Sequence, residues 1–363
     1  MKPTRREFMT ASAAAGLLAH GAGATVPTVR AATARSAIFI NLVGGPSQLD
    51  TFDPKPNAPS EFRGPFGAIR TKTPGLLLTE VLPNLANRTD RFALLRGMRH
   101  DSPPIHEAGL QLNNTGHLFR DGPAWPNVGA VLGHLAGQRC GDLRSWCMLP
   151  DECVDTGIAV SRGLDTGWLS NEDLAPVSIR EPEAVRQFDF TSCCKAATGL
   201  VRAGHRFITI NMFRTVFDAP SWDCHADRGS LACSLQDYRQ TVAPSFDLAF
   251  SELLDMLQDE GLLSSTLVVA TGEFGRTPKL NANGGRDHWA NCWTALIAGG
   301  GVNGGLAIGA SDPHGAEPAD RPTTPQELVA TIYHALGVPN GSTIPGPNGA
   351  VEVYPGRPIV ELF

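Results

Sequence analysis

Five short apolar runs punctuate the chain: Ser36–Val43, Arg91–Arg96, Arg206–Asn211, Thr266–Ala270 and Trp293–Ala298. Inside each run few positions are polar, as expected of strands buried on both faces of a parallel sheet. Between several of them lie stretches with apolar residues at helical spacing, at Ile105–Asn113, Val128–Leu135, Thr191–Ala203, Ser245–Glu260 and Pro325–Leu336. The last opens on Thr324-Pro-Gln-Glu327, a good helix start. This alternation predicts an α/β fold with a mostly parallel, doubly wound central sheet. Residues 137–190 lack clear periodicity and read as an irregular insertion or lid. The final apolar piece, Pro358–Phe363, reads as an edge strand. No internal repeat is present.

The N-terminus follows a different pattern. Thr4-Arg-Arg-Glu-Phe-Met9 precedes an alanine-rich, weakly apolar stretch, and small residues around Ala31–Ala34 offer a cleavage site. Residues 1–34 therefore resemble a twin-arginine export signal, which predicts delivery by the twin-arginine machinery, in folded form, to the periplasm or beyond. No later segment has the roughly 18 apolar residues needed to span a bilayer. With 363 residues and 42% hydrophobic content, the remainder is long enough for one large α/β domain, 35–363. A net charge of −6 gives no electrostatic reason to bind nucleic acid. Eight cysteines entering an oxidising compartment permit disulfides, with Cys140, Cys147 and Cys153 close enough for a local one. Buried free thiols are the competing reading for Cys194 and Cys292. Without a CxxC pair, a zinc ribbon is not expected.

Polar residues cluster where the predicted strands end, and open α/β sheets bind ligands at that edge. After the first run come Asp50 and Asp53, either able to hold a hard cation or to stabilise a turn. After the second come Ser102 and His106, the latter opening a helix whose free N–H groups favour an anion. They are candidate nucleophile and ligand. After the third, Asp223, His225 and Asp227 alternate along one loop, a spacing that can present several ligands to one metal. Trp222 reads as a wall of the same pocket. After the fourth, Gly272-Glu-Phe-Gly-Arg276 offers Glu273 as ligand or base and Arg276 as an oxyanion partner, and Asp287-His288 can complete a metal shell. An internal ion pair bracing the loop is the competing reading for Glu273 and Arg276.

Five ordered motifs carry a family likeness: Gly44-Gly-Pro-Ser-Gln-Leu-Asp-Thr-Phe-Asp-Pro-Lys-Pro56, Trp222-Asp-x-His225, Gly272-Glu-Phe-Gly-Arg-Thr-Pro278, Gly285-Arg-Asp-His-Trp289 and Ala316-Glu-Pro-x-Asp-Arg-Pro322. Together they resemble bacterial domain of unknown function family 1501, which is similar in fold to the alkaline phosphatase and sulfatase superfamily. The resemblance implies an alkaline-phosphatase-like three-layer α/β/α sandwich and a two-metal site for divalent ions, whether zinc, calcium or manganese. It places the superfamily's first-strand metal Asp at Asp50, its nucleophile at His106, its middle Asp and His ligands near Asp223 with His225 or Asp227, and its last metal His at His288. Two departures stand out. His replaces the usual hydroxyl or thiol nucleophile, and Glu273-Phe274 stands where an Asp-His pair is expected. The stretch before Arg206 is also shorter than in related members.

Two functions follow. One is metal-dependent hydrolysis of an anionic phosphate or sulfate ester, with His106, Arg276 and Ser102 as catalytic candidates and Asp50, Asp223, His225, Asp227, Glu273, Asp287 and His288 as metal candidates. The other is a non-catalytic binding or structural protein whose metal site is degenerate, since fold alone does not fix activity.

Overall fold

The five apolar runs become the interior of one sheet. A computed structural model describes residues 34–136, 146–151, 153–170, 174–178 and 189–363. Cys140 and the export segment, Ala34 excepted, lie outside those residues. The central sheet has eight strands: β1 Ser36–Asn41, β2 Phe92–Met98, β3 Trp146–Leu149, β4 Val177–Ser178, β5 Phe207–Asn211, β6 Thr266–Thr271, β7 Trp293–Ala298 and β8 Leu306–Ile308. Their spatial order is β8-β2-β7-β6-β1-β5-β3-β4. All neighbours pair in parallel except β7, which runs against both β2 and β6. The expected mostly parallel α/β sheet is therefore present.

Five longer helices cover it: α1 His106–Thr115, α2 Val128–Ala136, α3 Phe190–Ala203, α4 Ala243–Asp259 and α5 Pro325–Ala335. Alternation along β1 shows how the layers form. Ile38 and Ile40 join the core beneath α3 and α4, while Ala37 and Phe39 join the core beneath α1, α2 and α5. Every residue of β1 is buried. Each large apolar side chain so buried contributes about 1.5–3 kcal/mol. A one-residue slip would exchange the two faces and lose the fit of both, so the register with Phe207–Asn211 and Thr266–Thr271 is tightly specified. At α5 the predicted start is a capping box, with Thr324 and Glu327 side chains each accepting the other's backbone N–H.

Three expectations need correcting. Residues 137–190 are not simply an insertion, because Trp146–Leu149 is a fully buried strand of the sheet and Val177–Ser178 extends its edge. Four residues are too few to show a period, so the strand was invisible in the sequence pattern. Pro358–Phe363 forms no edge strand. Val360–Leu362 is a turn of 3-10 helix, and Ile359 and Leu362, three apart, enter the core together while the Ile359 N–H bonds Thr331 Oγ1 on α5. Cys147 and Cys153 are both free thiols, because β3 directs Cys147 into the core, 3.2 Å from His205 Nδ1, and Cys153 is exposed. Cys194 and Cys292 are buried thiols.

Beyond the C-terminus of α1, the His117 ring stacks on Trp125 with centroids 3.4 Å apart. Burial lowers the His117 pKa to about 4. In the unfolded chain an imidazole titrates near 6.5, so between those values the unfolded state holds more protons and stability falls as pH falls. His117→Phe, which keeps the stack, should flatten this acid limb by up to one proton between about pH 6.5 and 4. Urea denaturation midpoints across that range measure it, and an unchanged slope would refute the assignment.

Candidate metal centre

Five loops reach the carboxyl edge of the sheet. Those after β1, β2, β5 and β6 arrive because their strands run parallel. The segment before β7 arrives because β7 runs backwards, so its N-terminal end lies at the same edge. A two-residue ribbon pairs Arg276 with His288 and Gly275 with Trp289. It fixes the late segment onto the loop after β6.

Two close backbone approaches hold the site together. Gly44 has φ 106°, and a Cβ there would fall 2.5 Å from the Asp223 nitrogen. Only glycine combines that conformation with that contact. Gly109 on α1 would place a Cβ 2.3 Å from the Glu273 carbonyl, and Asn113 donates to the Gly272 carbonyl at 2.9 Å. The first turns of α1 are thereby laid on the loop after β6, which brings His106 over Glu273.

At the centre is Asp223, wholly buried. Its Oδ1 accepts from Arg276 Nη2 and lies 3.1 Å from His288 Nε2 and 3.0 Å from His225 Nε2. Its Oδ2 is 3.5 Å from His106 Nε2 and has no hydrogen-bond partner. One ligand atom from each of His106, Asp223 and His288 falls within 4.8 Å of the others, among the described residues the only group of three or more of this kind. His106 and His288 rings meet edge to face at 4.5 Å, and Phe274 packs on both.

Second partners fix the imidazoles. His288 Nδ1 donates to the Pro104 carbonyl at 2.8 Å. Burial lowers the His288 pKa to about 4, so at neutral pH its Nε2 is bare and faces a carboxylate oxygen. Two acceptors in that position repel unless a cation lies between them. An N–H donated to a carbonyl with the other nitrogen free is how metal-binding histidines are oriented. His225 repeats the pattern, donating from Nδ1 to Asp287 Oδ1 at 3.0 Å. Its Nε2, though close to Asp223, is not in hydrogen-bonding alignment. Asn281 steadies the arm by donating to Asp287 Oδ1 and to the His225 carbonyl.

His106 is different. Its Nδ1 donates to Glu273 Oε1 at 2.5 Å. Burial works against its cation, but the Asp223 and Glu273 carboxylates outweigh burial and raise the pKa to about 9. Burial likewise pushes the Asp223 carboxyl up, and the Arg276 charge with the surrounding imidazoles more than reverses this, holding it far below the usual carboxylate range. Glu273 Oε1 also accepts from the Gly44 N–H, while Oε2 is unpartnered.

The other predicted residues supply no ligand atom to this group. Arg276 is wholly buried and its guanidinium is spent internally, donating to Asp223, to the Gly44 and Gly45 carbonyls and to the Arg286 carbonyl at 3.2 Å. It braces the site rather than facing outward. Its ion-pair partner is Asp223, whereas the bracing reading had paired it with Glu273. Asp50 bonds Arg286 Nε at 2.6 Å and Ser47 Oγ at 2.5 Å. Asp53 is taken up by Lys55, Ser311 and Arg96. Asp227 accepts from the Gly229 N–H in a turn. Asp287 is exposed and reaches the centre only through His225. Ser102 is half-buried on the loop before α1. Trp222 lies in the core against Tyr238 and Phe246, beneath the site rather than at its wall. Arg286, quoted above in its motif, carries no role in the sequence reading; adjacency to Asp287-His288 was the only available signal.

A family model described as a protein of unknown function, DUF1501, matches residues 34–189 and 170–363. Comparison with curated proteins gives no match. Among solved structures, the lipoteichoic acid synthase LtaP from Listeria monocytogenes matches with a TM-score of 0.52 at 12% identity, over 93% of this chain and 78% of its own. A protein of the alkaline phosphatase superfamily from Vibrio parahaemolyticus matches with a TM-score of 0.50 at 11% identity, over 91% and 70% respectively. At these identities the likeness establishes an alkaline-phosphatase-like fold.

Removing Arg276 leaves Asp223 charged, buried and without its guanidinium. Breaking a buried pair in this way costs about 3–5 kcal/mol. Arg276→Met should lower unfolding free energy by that amount, and Arg276→Met with Asp223→Asn should recover part of it. A double-mutant cycle by chemical denaturation measures both; additive losses would refute the coupling.

Proposed function

This chain belongs to the DUF1501 family, and we propose that it is an exported, metal-dependent hydrolase of phosphate or sulfate esters. The observation that carries this reading is the convergence of His106, Asp223 and His288, with Asp223 Oδ2 unpartnered and the His288 ring oriented by its Nδ1 bond to the Pro104 carbonyl. Two imidazoles and a carboxylate suit zinc or manganese, and the histidines weigh against calcium, which prefers oxygen. A bound divalent ion would supply Lewis-acid polarisation of the ester and lower the pKa of a bound water. The residues do the rest. Asp223 and His288 hold the ion's place from the loop after β5 and the ribbon before β7. His106 surrenders its Nε2 proton on binding and keeps its Nδ1 hydrogen bond to Glu273. His225, steadied by Asp287, lies partly exposed beside Asp223, as a further ligand or a proton carrier.

One observation favours the non-catalytic alternative. Arg276 is the guanidinium that sequence reasoning assigns to oxyanion stabilisation, and its donors are engaged inside the protein. If nothing replaces it, the centre binds an ion without turnover. Protein recovered without chelator, or reloaded with zinc or manganese, should carry stoichiometric metal by mass spectrometry and hydrolyse aryl phosphate or sulfate esters. His288→Gln should lower both metal content and rate by at least about 100-fold, the scale on which loss of a main electrostatic element is felt. Metal without hydrolysis would select the binding reading, and the absence of both would sink the hydrolase.

Export by the twin-arginine machinery to the periplasm or beyond belongs to the same proposal, with residues 1–34 as signal and 35–363 as the exported domain. It is supported by the Arg5-Arg6 pattern and by a family match that begins at residue 34. No helix among the described residues is long and apolar enough to cross a membrane. Replacing Arg5 and Arg6 together by Lys should hold the protein in the cytoplasm, as read by cell fractionation; unchanged export would exclude the route.

A further inference from the structure

Asp50 and Asp223 are alike in isolation. Each is fully buried on a loop leaving the carboxyl edge, and each has one bonded oxygen and one without a partner. What surrounds them differs. Asp223 is ringed by three imidazoles. Asp50 faces Arg286, whose Nε lies 2.6 Å from Oδ2.

Arg286 is itself fully buried and firmly held. Nη1 donates to the Thr277 carbonyl at 3.0 Å and to the Pro278 carbonyl, and Nη2 donates to the Phe62 carbonyl at 2.7 Å. Its guanidinium is a planar donor group with no acceptor. The unpartnered Asp50 Oδ1 gains no room from this, because a Cβ on Gly64 would lie 2.3 Å from it and 2.9 Å from Arg286 Nη2. The turn at residues 60–64 closes that side. Among the described residues no group of three ligand-type side chains includes Asp50.

We infer that the centre is mononuclear: it takes one divalent cation at His106, Asp223 and His288, and the Arg286 guanidinium supplies beside Asp50 the positive charge that a second ion would bring. The inference rests on the metal-centre reading above. A second ion on Asp50 would have to displace a buried guanidinium and meet its repulsion at close range in a medium of low dielectric. Chemistry at this centre therefore proceeds without a pair of ions clamping the entering and leaving oxygens.

Native mass spectrometry of the full chain, titrated separately with Zn²⁺ and Mn²⁺, tests this. One ion per chain is expected in the wild type, retained in Asp50→Asn and lost in Asp223→Asn and His288→Gln. Two ions in the wild type, one of them lost in Asp50→Asn, would overturn the inference and leave the metal-centre reading standing. No ion would remove that reading itself. If Asp50→Asn does not fold, judged by circular dichroism, X-ray absorption of the loaded wild type decides. A metal–metal scattering path at roughly 4 Å would overturn the inference, and its absence at one ion per chain supports it.

Discussion

The buried pair of Arg276 and Asp223 is the constraint on which the rest of the site depends. Neither group touches water, so each needs the other, and the remaining donors of Arg276 need the carbonyls of Gly44, Gly45 and Arg286. Burying such a pair is seldom a net gain in stability over well-packed apolar residues. What it provides is position. Three loops, after β1, β5 and β6, are tied to one guanidinium, and the ribbon of Arg276 with His288 adds the segment before β7.

Charge then decides the protonation of the imidazoles. Glu273 and Asp223 together draw a proton onto His106 although it sits at a helix N-terminus, where the dipole disfavours a cation. His288, beside that charge and buried, is left neutral. Two histidines with rings 4.5 Å apart thus carry opposite protonation, set by which of them has a carboxylate behind Nδ1 and which a carbonyl.

Much of the fold was legible because buried parallel strands write continuous apolar runs. β1, β2, β5, β6 and β7 were visible in this way. β3 was not, since four residues carry no period, and the C-terminal turn reads as an edge strand because so short an apolar piece does not separate strand from helix. At the site, His106, Asp223 and His288 were legible as polar residues beyond strand ends. Which of the remaining candidates join them depends on side-chain direction, which spacing along the chain does not encode. Asp50 and Asp223 look equivalent in sequence. Only the fold reveals that one faces imidazoles and the other a guanidinium. Arg276, likewise, reads equally well as facing a ligand or bracing a loop until its donors are traced to Gly44 and Gly45.

The centre joins residues remote along the chain: His288 meets Asp223 across 65 positions and Glu273 meets His106 across 167. No chain that stops short of residue 288 holds all three of His106, Asp223 and His288. An ion taken up here would follow folding, and its selection would belong to whichever compartment hosts the last folding step. On a route that carries finished proteins across the membrane, that compartment is the cytoplasm. The ion would then be chosen from the cell's buffered interior supply, before the protein meets the metals outside.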